Sequence, residues 1–480
     1  MEVSAEHLRL ILGLKLKRLR HEQGASLKDL AGRAGVSVSY LSEIEKGKKY
    51  PKPEKLLDLA RALDVPFDEL VSQQVTEPLA PISQAIRSPF LQAFPFRLFG
   101  IDPQDIVALA AEAPEKAGGL IRALDEVARD YDMRVKHFLF AALRAYLLLH
   151  RNHFPELEEA ADAYRQRHGW PAPPALDAAT LRSILEAEHG YAIDTERLPD
   201  HPELHVFRSV FREREDGRPE LLVNGELLPE QQAFLFAREL GFLELGLKER
   251  PATSSWVRVR RFEPVLNNYR ASYFAGALLI PETTLLEDLR RFFARETWDP
   301  QALLRLMQRY RATPEMFFYR LAEVVPTQLR LPDLYFMRFT IREGDERYHL
   351  TKVLNMSRVP MPHGLRRELD YGKRWRTIGG VRALSERQGL ADAEATVVRA
   401  QRSHFAEDDV TFFEISLSRP LSLGGGASSV TLGFLMDTAF RRTVRFWNDP
   451  AVPEAEVVYD AEGDRHRARV EALAELGVEV

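Results

Sequence analysis

The side chains most able to bind another molecule are the lysines, arginines and serines near the start of the chain. Residues 1–61 contain thirteen Lys and Arg against eight Asp and Glu, whereas the whole chain of 480 residues has a formal net charge of −5. The rest of the chain is therefore acidic. A basic segment on an acidic body indicates one nucleic-acid-binding end and a regulatory remainder, because phosphates attract the first and repel the second.

Two short helices joined by a glycine turn are predicted to position these side chains. Ser26 and Ser37 are residue types favoured at helix N-caps, and Gly35 permits the turn between the helices. Apolar residues recur behind each cap at helical spacing, at Leu27, Leu30, Ala31 and Ala34 and then at Tyr40, Leu41 and Ile44. Flanking helices are predicted at residues 8–22 and 53–63. The sequence thus predicts a five-helix domain whose second short helix enters the DNA major groove.

Three stretches over residues 8–70 resemble the lambda-repressor/Cro (XRE) helix-turn-helix family: LKRLR, SLKDLAGRAGVSVSYLSEIEKGK and PEKLLDLARALDVPFDEL. The resemblance implies a recognition helix at residues 37–46 on double-stranded DNA. It implies that Val38, Ser39 and Glu43 face base edges. The positions expected at the DNA backbone are Lys17, Arg20, Lys28, Tyr40, Ser42, Lys46, Lys48 and Lys49. The alternative is a domain of this fold used only for protein contacts.

Composition excludes several classes of site. The chain has no cysteine, which rules out disulfide frameworks, zinc fingers and iron–sulfur centres. The N-terminus shows no basic-then-apolar signal segment, and no run approaches the roughly 18 apolar residues that cross a membrane. We therefore expect a cytoplasmic protein with no membrane partner, and the sequence predicts no cofactor and no bound metal.

A proline-containing break follows the first domain, which is assigned to residues 1–72. Residues 73–87 are predicted to be a linker. Residues 88–172 are predicted to be a helical connector that dimerises, since proteins that read palindromic operators use a two-fold pair. Its histidines His150 and His153 are expected at the surface rather than on a metal. The alternative is a connector that leaves dimerisation to another segment.

Residues 173–330 contain a second group of side chains that bears on catalysis. The segment PEQQAFLFARELGFLELGL resembles the active-site helix of the ImmA/IrrE-type metallopeptidases, where a HExxH motif holds zinc. Here Arg238, Glu239 and Phe242 occupy the motif, and Asn268 stands near the position of the third acidic ligand. Neither a guanidinium nor a phenyl ring donates a lone pair to zinc, and Arg238 could instead pair with Glu239. The resemblance implies a degenerate, zincin-like α+β domain that is not an enzyme. A metallopeptidase-type switch acting on a repressor or another protein partner is the alternative.

The order of these parts resembles the short-chain fatty acyl transcriptional regulators of bacteria. The resemblance implies a homodimeric regulator of metabolic genes that responds to a small effector such as an acyl-CoA. Residues 331–480 are predicted to form a mixed α+β sensor domain, with strands at 335–344, 411–423, 430–437 and 443–448 and mixed loop and helix at 394–405. One candidate effector site is the metallopeptidase-like cleft. The other comprises Lys373, Arg374, Trp375 and Arg376, whose charges suit phosphates or a carboxylate. The predicted fold class is therefore multidomain, mainly α with α+β.

Overall fold

The computed structural model describes residues 5–71, 95–100, 126, 135–170, 176–253, 259, 261–342, 349–357, 359, 396–405 and 408–457. The chain divides into two compact units, residues 1–146 with 258–262 and residues 147–257 with 263–480. The predicted linker, residues 73–87, lies outside the described residues. None of the helices within the described stretches is long and apolar enough to cross a membrane.

The first unit begins with the five helices that the sequence predicts. They are α1 (Ala5–Glu22), α2 (Leu27–Arg33), α3 (Val38–Glu45), α4 (Pro53–Ala62) and α5 (Phe67–Val71). Both serine caps are present, because Ser26 Oγ accepts from the Asp29 amide at 3.2 Å and Ser37 Oγ accepts from the Tyr40 amide at 3.1 Å. The fully buried core side chains are Leu16, Leu30, Leu41, Ile44 and Leu59.

Helix α1 approaches the end of α3 most closely at Gly13. A Cβ atom at this position would lie 2.6 Å from the Ile44 carbonyl oxygen and 2.7 Å from that of Glu45. Glycine is therefore required where the two helices cross. The close contact holds α3 with Leu41 and Ile44 inward, so its other side faces solvent.

The next elements combine helices with a small sheet. The helices are α6 (Val135–Leu149), α7 (Pro155–Arg167), α8 (Ala178–Ala187), α9 (Arg197–Asp200), α10 (Pro229–Glu244), α11 (Glu263–Leu279), α12 (Glu282–Phe293), α13 (Pro300–Arg309) and α14 (Pro314–Gln328). The strands β1 (Ala192–Asp194), β2 (Ser209–Glu213) and β3 (Pro219–Val223) pair in the order β1–β3–β2. Helices α10 and α11 pack closely at Gly241, where a Cβ atom would lie 2.9 Å from the Ala271 carbonyl oxygen.

The C-terminal part of the second unit is a six-stranded sheet in the order β5–β4–β8–β7–β6–β9. Its strands are β4 (Leu334–Ile341), β5 (His349–Asn355), β6 (Val397–Phe405), β7 (Val410–Pro420), β8 (Ala427–Leu435) and β9 (Glu454–Val457). Neighbouring strands are antiparallel, except that β6 and β9 are parallel. One face packs on helices through aromatic pairs, as at Phe293 and Phe434, whose ring centroids are 6.3 Å apart. The multidomain α and α+β class is thereby confirmed.

Two sequence predictions for this part are wrong. Residues 394–405, predicted as mixed loop and helix, contain β6, which pairs with β7 along its whole length. Residues 443–448, predicted as a strand, contain the end of α15 (Thr438–Thr443) and a 3₁₀ helix, Arg445–Asn448. Asp437 caps α15 by accepting from the Phe440 amide at 2.8 Å. Capping and burial of the aromatic residues therefore outweigh the local β propensity.

Candidate DNA-binding surface and peptidase-like site

Helix α3 presents an outward side that suits contact with base edges. Val38 at its start is 45% exposed although it is a large apolar residue. Ser39 is exposed, and Glu43 lies one turn further and is half-buried. A valine can contact a thymine methyl, a serine can donate or accept, and a glutamate can accept from cytosine N4. The three residues predicted to read bases thus lie together on the side away from the core.

Glu43 has a partner within its own domain. Lys49 Nζ lies 2.6 Å from Glu43 Oε2 and 5.8 Å from the centre of the Tyr40 ring. The hydrogen bond that Lys49 donates to Glu43 raises the pKa of Lys49. Because the pair is largely exposed, it is weak and can open when other partners approach. Glu43 is therefore oriented by Lys49 before any base is contacted.

The residues predicted at the DNA backbone differ in exposure. Lys28, Lys46, Lys48 and Lys49 are exposed. Lys17, Tyr40 and Ser42 are half-buried. Contacts with phosphates remain predictions for all seven.

Arg20 has a different role from the one predicted, and its assignment to the DNA backbone is corrected. The residue is only 7% exposed. Its Nε and Nη2 donate to the two carboxylate oxygens of Glu45 at 2.7 and 2.9 Å, and its Nη1 donates to the Ala25 carbonyl oxygen at 2.9 Å. All three guanidinium nitrogens are thereby occupied. Arg20 therefore links α1 to the end of α3 through buried hydrogen bonds.

Helix α10 carries the three residues compared above with the HExxH motif, of which Glu239 and Phe242 are buried. The Glu239 side chain has 0% exposure, and Arg238 Nη2 lies 3.6 Å from Glu239 Oε1. The same nitrogen donates to Ser209 Oγ on β2 at 3.2 Å. Burial lowers the pKa of Arg238. Arg238 therefore lies against Glu239, as the sequence suggested, and also links α10 to the small sheet.

A second arginine, Arg250, completes the site and has no counterpart in the motif. Its Nη2 donates to Glu239 Oε2. Its guanidinium carbon lies 3.7 Å from the centre of the Phe211 ring and 4.2 Å from that of Phe242. A guanidinium stacked between two aromatic rings and paired with a carboxylate is held firmly in a buried place. The two arginines compensate the charge of Glu239 and would repel a divalent cation.

Polar residues around this site connect it to neighbouring elements. Asn267 on α11 donates through Nδ2 to the Glu249 carbonyl oxygen at 2.9 Å, next to Arg250 in the chain. Asn268, the position compared with a third zinc ligand, is half-buried on the same helix. Burial raises the pKa of Tyr191 to about 12, and the nearby charge of Glu239 adds to that shift. The tyrosine is therefore neutral at physiological pH.

His153 is buried, which contradicts the surface position predicted for it, whereas His150 is exposed. His153 Nε2 lies 2.7 Å from Glu282 Oε2. Ligand atoms of His153, Glu158 and Glu282 lie within 4.8 Å of one another, a spacing that a metal ion could bridge. Both oxygens of Glu158, however, accept from Arg320 at 2.7 Å. This group is therefore an ion-pair network with its charges already compensated.

Of the two candidate effector sites, the structure describes only the metallopeptidase-like cleft. Lys373, Arg374, Trp375 and Arg376 lie outside the described residues. In the metallopeptidase-like cleft, the guanidinium of Arg250 lies between the rings of Phe211 and Phe242. The space beside Glu239 is therefore occupied by a side chain.

Comparisons with known proteins match the two domains that carry these residues. Residues 11–73 match a family described as a helix-turn-helix domain, and residues 190–322 match one described as an IrrE N-terminal-like domain. The HTH-type transcriptional regulator RamB of Mycobacterium tuberculosis is 23% identical over 294 residues, which cover 56% of this chain and 57% of that protein.

Shorter relatives match the N-terminal domain alone. The HTH-type transcriptional regulator DdrOP3 of Deinococcus deserti is 42% identical over 57 residues, which are 12% of this chain and 44% of that protein. The uncharacterized HTH-type transcriptional regulator y4dJ of Sinorhizobium fredii is 38% identical over 65 residues, which are 14% of this chain and 84% of that protein. The chain thus spans about half the length of the first of these relatives and of RamB.

The matched residues coincide with the elements that carry the two sites. The helix-turn-helix match includes all of α2 to α5 and most of α1, and the IrrE-like match includes the small sheet, α10 and α11. The chain therefore belongs to the helix-turn-helix transcriptional regulators, with an XRE-type DNA-binding domain followed by an IrrE-like domain.

Proposed function

We propose that this regulator is a homodimer that reads a palindromic operator through α3 and controls metabolic genes in response to a small effector such as an acyl-CoA. The observation that carries the DNA-reading part is the exposure of Val38 and Ser39 beside Glu43 on a helix that Ser37 caps and whose Leu41 and Ile44 are fully buried. A single recognition helix reads only a few base pairs, so two copies related by a two-fold axis supply the required specificity.

The effector part of the proposal rests on the resemblance of the domain order to the short-chain fatty acyl transcriptional regulators. An effector changes DNA binding only if it binds one arrangement of the dimer more tightly than another. Capture of bound DNA across the genome would give the operator, and binding to that operator with and without acetyl-CoA or propionyl-CoA would test the effector class. A palindromic site whose affinity changes with one acyl-CoA supports the proposal. If neither acyl-CoA changed the affinity for the operator, the DNA-reading part of the proposal would be retained and this effector class would be rejected.

A double substitution of Ser39→Ala with Glu43→Ala is expected to remove most of the discrimination between operator and unrelated DNA. Each base contact of this kind contributes about 1–3 kcal/mol of discrimination, so the loss of two contacts should lower the ratio of specific to non-specific affinity by about thirtyfold or more. Fluorescence anisotropy with the captured operator and a scrambled duplex, both at one fixed salt concentration, measures this ratio.

The matched control is Glu54→Ala, which removes an exposed carboxylate from α4 in the same domain. The control should retain the wild-type ratio of affinities. If the double variant also retained it, Ser39 and Glu43 would not be base readers and the assignment of α3 would be rejected.

The IrrE-like domain is proposed to have a structural or regulatory role without peptidase chemistry. The resemblance to the HExxH helix implies that Arg238 and Phe242 stand at the two histidine positions, and Arg250 occupies the space beside Glu239. Purified without a histidine tag, the protein should contain far less than one zinc ion per chain by mass spectrometry of the metal content. Its melting temperature should be the same with and without EDTA. Stoichiometric zinc together with cleavage of a protein partner would overturn this reading and favour the peptidase switch.

A further inference from the structure

A cavity lies at one end of the small sheet, between the turn that follows α8 and the turn that joins β2 to β3. Its volume is about 580 Å³, and it is lined by residues 186, 189–192, 214 and 216–219. We call it the hairpin cavity. Pockets that bind small molecules have volumes of roughly 300–1,000 Å³, so the size of the hairpin cavity suits a small molecule rather than a single ion.

A glycine in each of the two turns keeps the hairpin cavity open. Gly190 has a φ of 66° and Gly217 a φ of 79°, a backbone conformation that other residues rarely adopt. At both positions a Cβ atom would meet no atom within 4 Å, apart from the neighbouring residues in the chain. The structure therefore shows free space on both sides of the hairpin cavity.

Arginines beside the hairpin cavity outnumber the carboxylates that they contact. Glu220 is 1% exposed; Arg212 donates to its Oε2, and Arg214 donates to its Oε1 from Nε at 2.9 Å and from Nη2 at 2.6 Å. Arg197 Nη1 lies 3.8 Å from the same Oε1, and Arg197 Nε lies 3.1 Å from Asp194 Oδ2. Three guanidiniums thus face two carboxylates, and one positive charge has no counterpart among these groups.

Three side chains that line the hairpin cavity retain hydrogens for a ligand. Arg214 uses Nε and Nη2 for Glu220, and its Nη1 makes no hydrogen bond within the described residues. Arg218 is 74% exposed, and its Nε is 3.8 Å from Asp216 Oδ2, which is too far for a hydrogen bond. His189 is exposed, and its imidazole can donate a ring hydrogen. Donors are therefore available from both turns.

The two carboxylates that line the hairpin cavity have partners of their own. Glu186 accepts from Arg182 Nε at 2.9 Å. Asp216 Oδ1 accepts from the backbone amide of Arg218 at 3.0 Å. Neither carboxylate is hydrogen-bonded to the Arg214 guanidinium, so Arg214 Nη1 remains available to an anion.

We propose that the hairpin cavity binds a small phosphomonoester, with its phosphate group on Arg214, Arg218 and His189. A phosphomonoester carries nearly two negative charges and three terminal oxygens, and guanidiniums bind such oxygens through charge-assisted hydrogen bonds. A carboxylate carries one charge, which a single guanidinium satisfies. A DNA backbone presents phosphates in an extended row, which a concave cavity does not match. The proposal goes beyond the DNA-reading function, and binding is measured without DNA.

The test uses the full chain and calorimetric titration with inorganic phosphate, AMP and adenosine at one fixed salt concentration. Inorganic phosphate and AMP should both bind and should compete with each other. Adenosine should bind at least tenfold more weakly than AMP, because it lacks the phosphate group. Absence of binding by both inorganic phosphate and AMP would overturn the proposal. Equal binding of AMP and adenosine would overturn the phosphomonoester class.

Replacement of Arg218 by methionine tests whether AMP binds in the hairpin cavity. Arg218→Met should weaken AMP by about threefold to tenfold, because charged contacts of an exposed side chain contribute less than buried ones. The matched control is Arg291→Met on α12, since Arg291 is 68% exposed and its loss changes the net charge equally. The control should bind AMP like the wild type. Equal weakening in the two variants would indicate an effect of net charge alone and reject the hairpin cavity as the site.

Arg214→Met gives a second measurement and should weaken AMP by at least tenfold. Glu220 keeps Arg212 and Arg197 in this variant, and the melting temperature checks that the fold is retained. Wild-type affinity for AMP in both Arg214→Met and Arg218→Met would place the phosphate group elsewhere and reject the proposal. Operator binding by α3 does not depend on these residues, so the two proposals fail separately.

Discussion

Replacing Arg250 by methionine is expected to lower the free energy of unfolding of the IrrE-like domain by about 3–5 kcal/mol. Glu239 is fully buried, and Arg250 is stacked between Phe211 and Phe242 while it pairs with that carboxylate. Methionine retains much of the volume but leaves the carboxylate with Arg238 alone, at 3.6 Å. Hydrogen–deuterium exchange of residues 229–244 and urea unfolding of the full chain measure the loss.

Two further variants test the electrostatic origin of this loss. Arg250→Met with Glu239→Gln removes the buried charge as well as its partner, and should recover much of the lost stability. Arg167→Met is the control, because Arg167 is 56% exposed in its ion pair with Glu244. Loss of this exposed pair should lower the free energy of unfolding by less than about 1 kcal/mol. If the double variant were as unstable as Arg250→Met, lost packing rather than the unpaired charge would be the cause.

Arg250 shows why the peptidase-like site could be predicted only in part from the sequence. Helical spacing and the likeness to HExxH identify Arg238, Glu239 and Phe242, because these residues share one helix. Arg250 lies eleven residues beyond Glu239, after α10 has ended, in a stretch without periodicity. The guanidinium of Arg250 reaches the Glu239 carboxylate only because the chain folds back after α10, which the sequence pattern does not indicate.

The DNA-binding domain was more fully predictable, because its signals are local. The caps at Ser26 and Ser37 and the turn at Gly35 are read from residue type and spacing, and each is present in the structure. The assignment of Arg20 to the DNA backbone could not be corrected from the sequence, because the contact that decides it is not local. A basic residue in a basic domain suggests a phosphate contact, but its partner Glu45 is twenty-five residues away in the chain.

The buried polar residues of β7 and β8 are also brought together only through long-range pairing, like Arg250 and Glu239 or Arg20 and Glu45. Ser416, Ser418, Ser429 and Thr431 alternate with apolar residues, as expected for strands with one buried and one exposed face. The alternation suggests that the serines face water. The structure buries them, so a pattern that normally indicates a solvated face indicates here an internal polar surface.

Replacing Arg20 by leucine is expected to abolish binding to operator and unrelated DNA together, through loss of the folded domain rather than of a phosphate contact. Arg20 donates two hydrogen bonds to the buried Glu45 at the end of α3. Removal of one partner of a buried pair costs about 3–5 kcal/mol, a large fraction of the stability of a domain of this size. Circular dichroism during thermal unfolding, together with anisotropy at several salt concentrations, separates stability from affinity.

Lys28→Ala is the matched control, since Lys28 is exposed and is predicted to contact the backbone. It should leave the melting temperature nearly unchanged while it reduces the slope of log affinity against log salt by about one for each protomer bound. Arg20→Leu with Glu45→Leu should restore much of the stability, because no buried charge remains without a partner. A stable Arg20→Leu protein with only a reduced salt slope would instead make Arg20 a phosphate contact, and the pair with Glu45 would then be a feature of the unbound domain that opens on DNA.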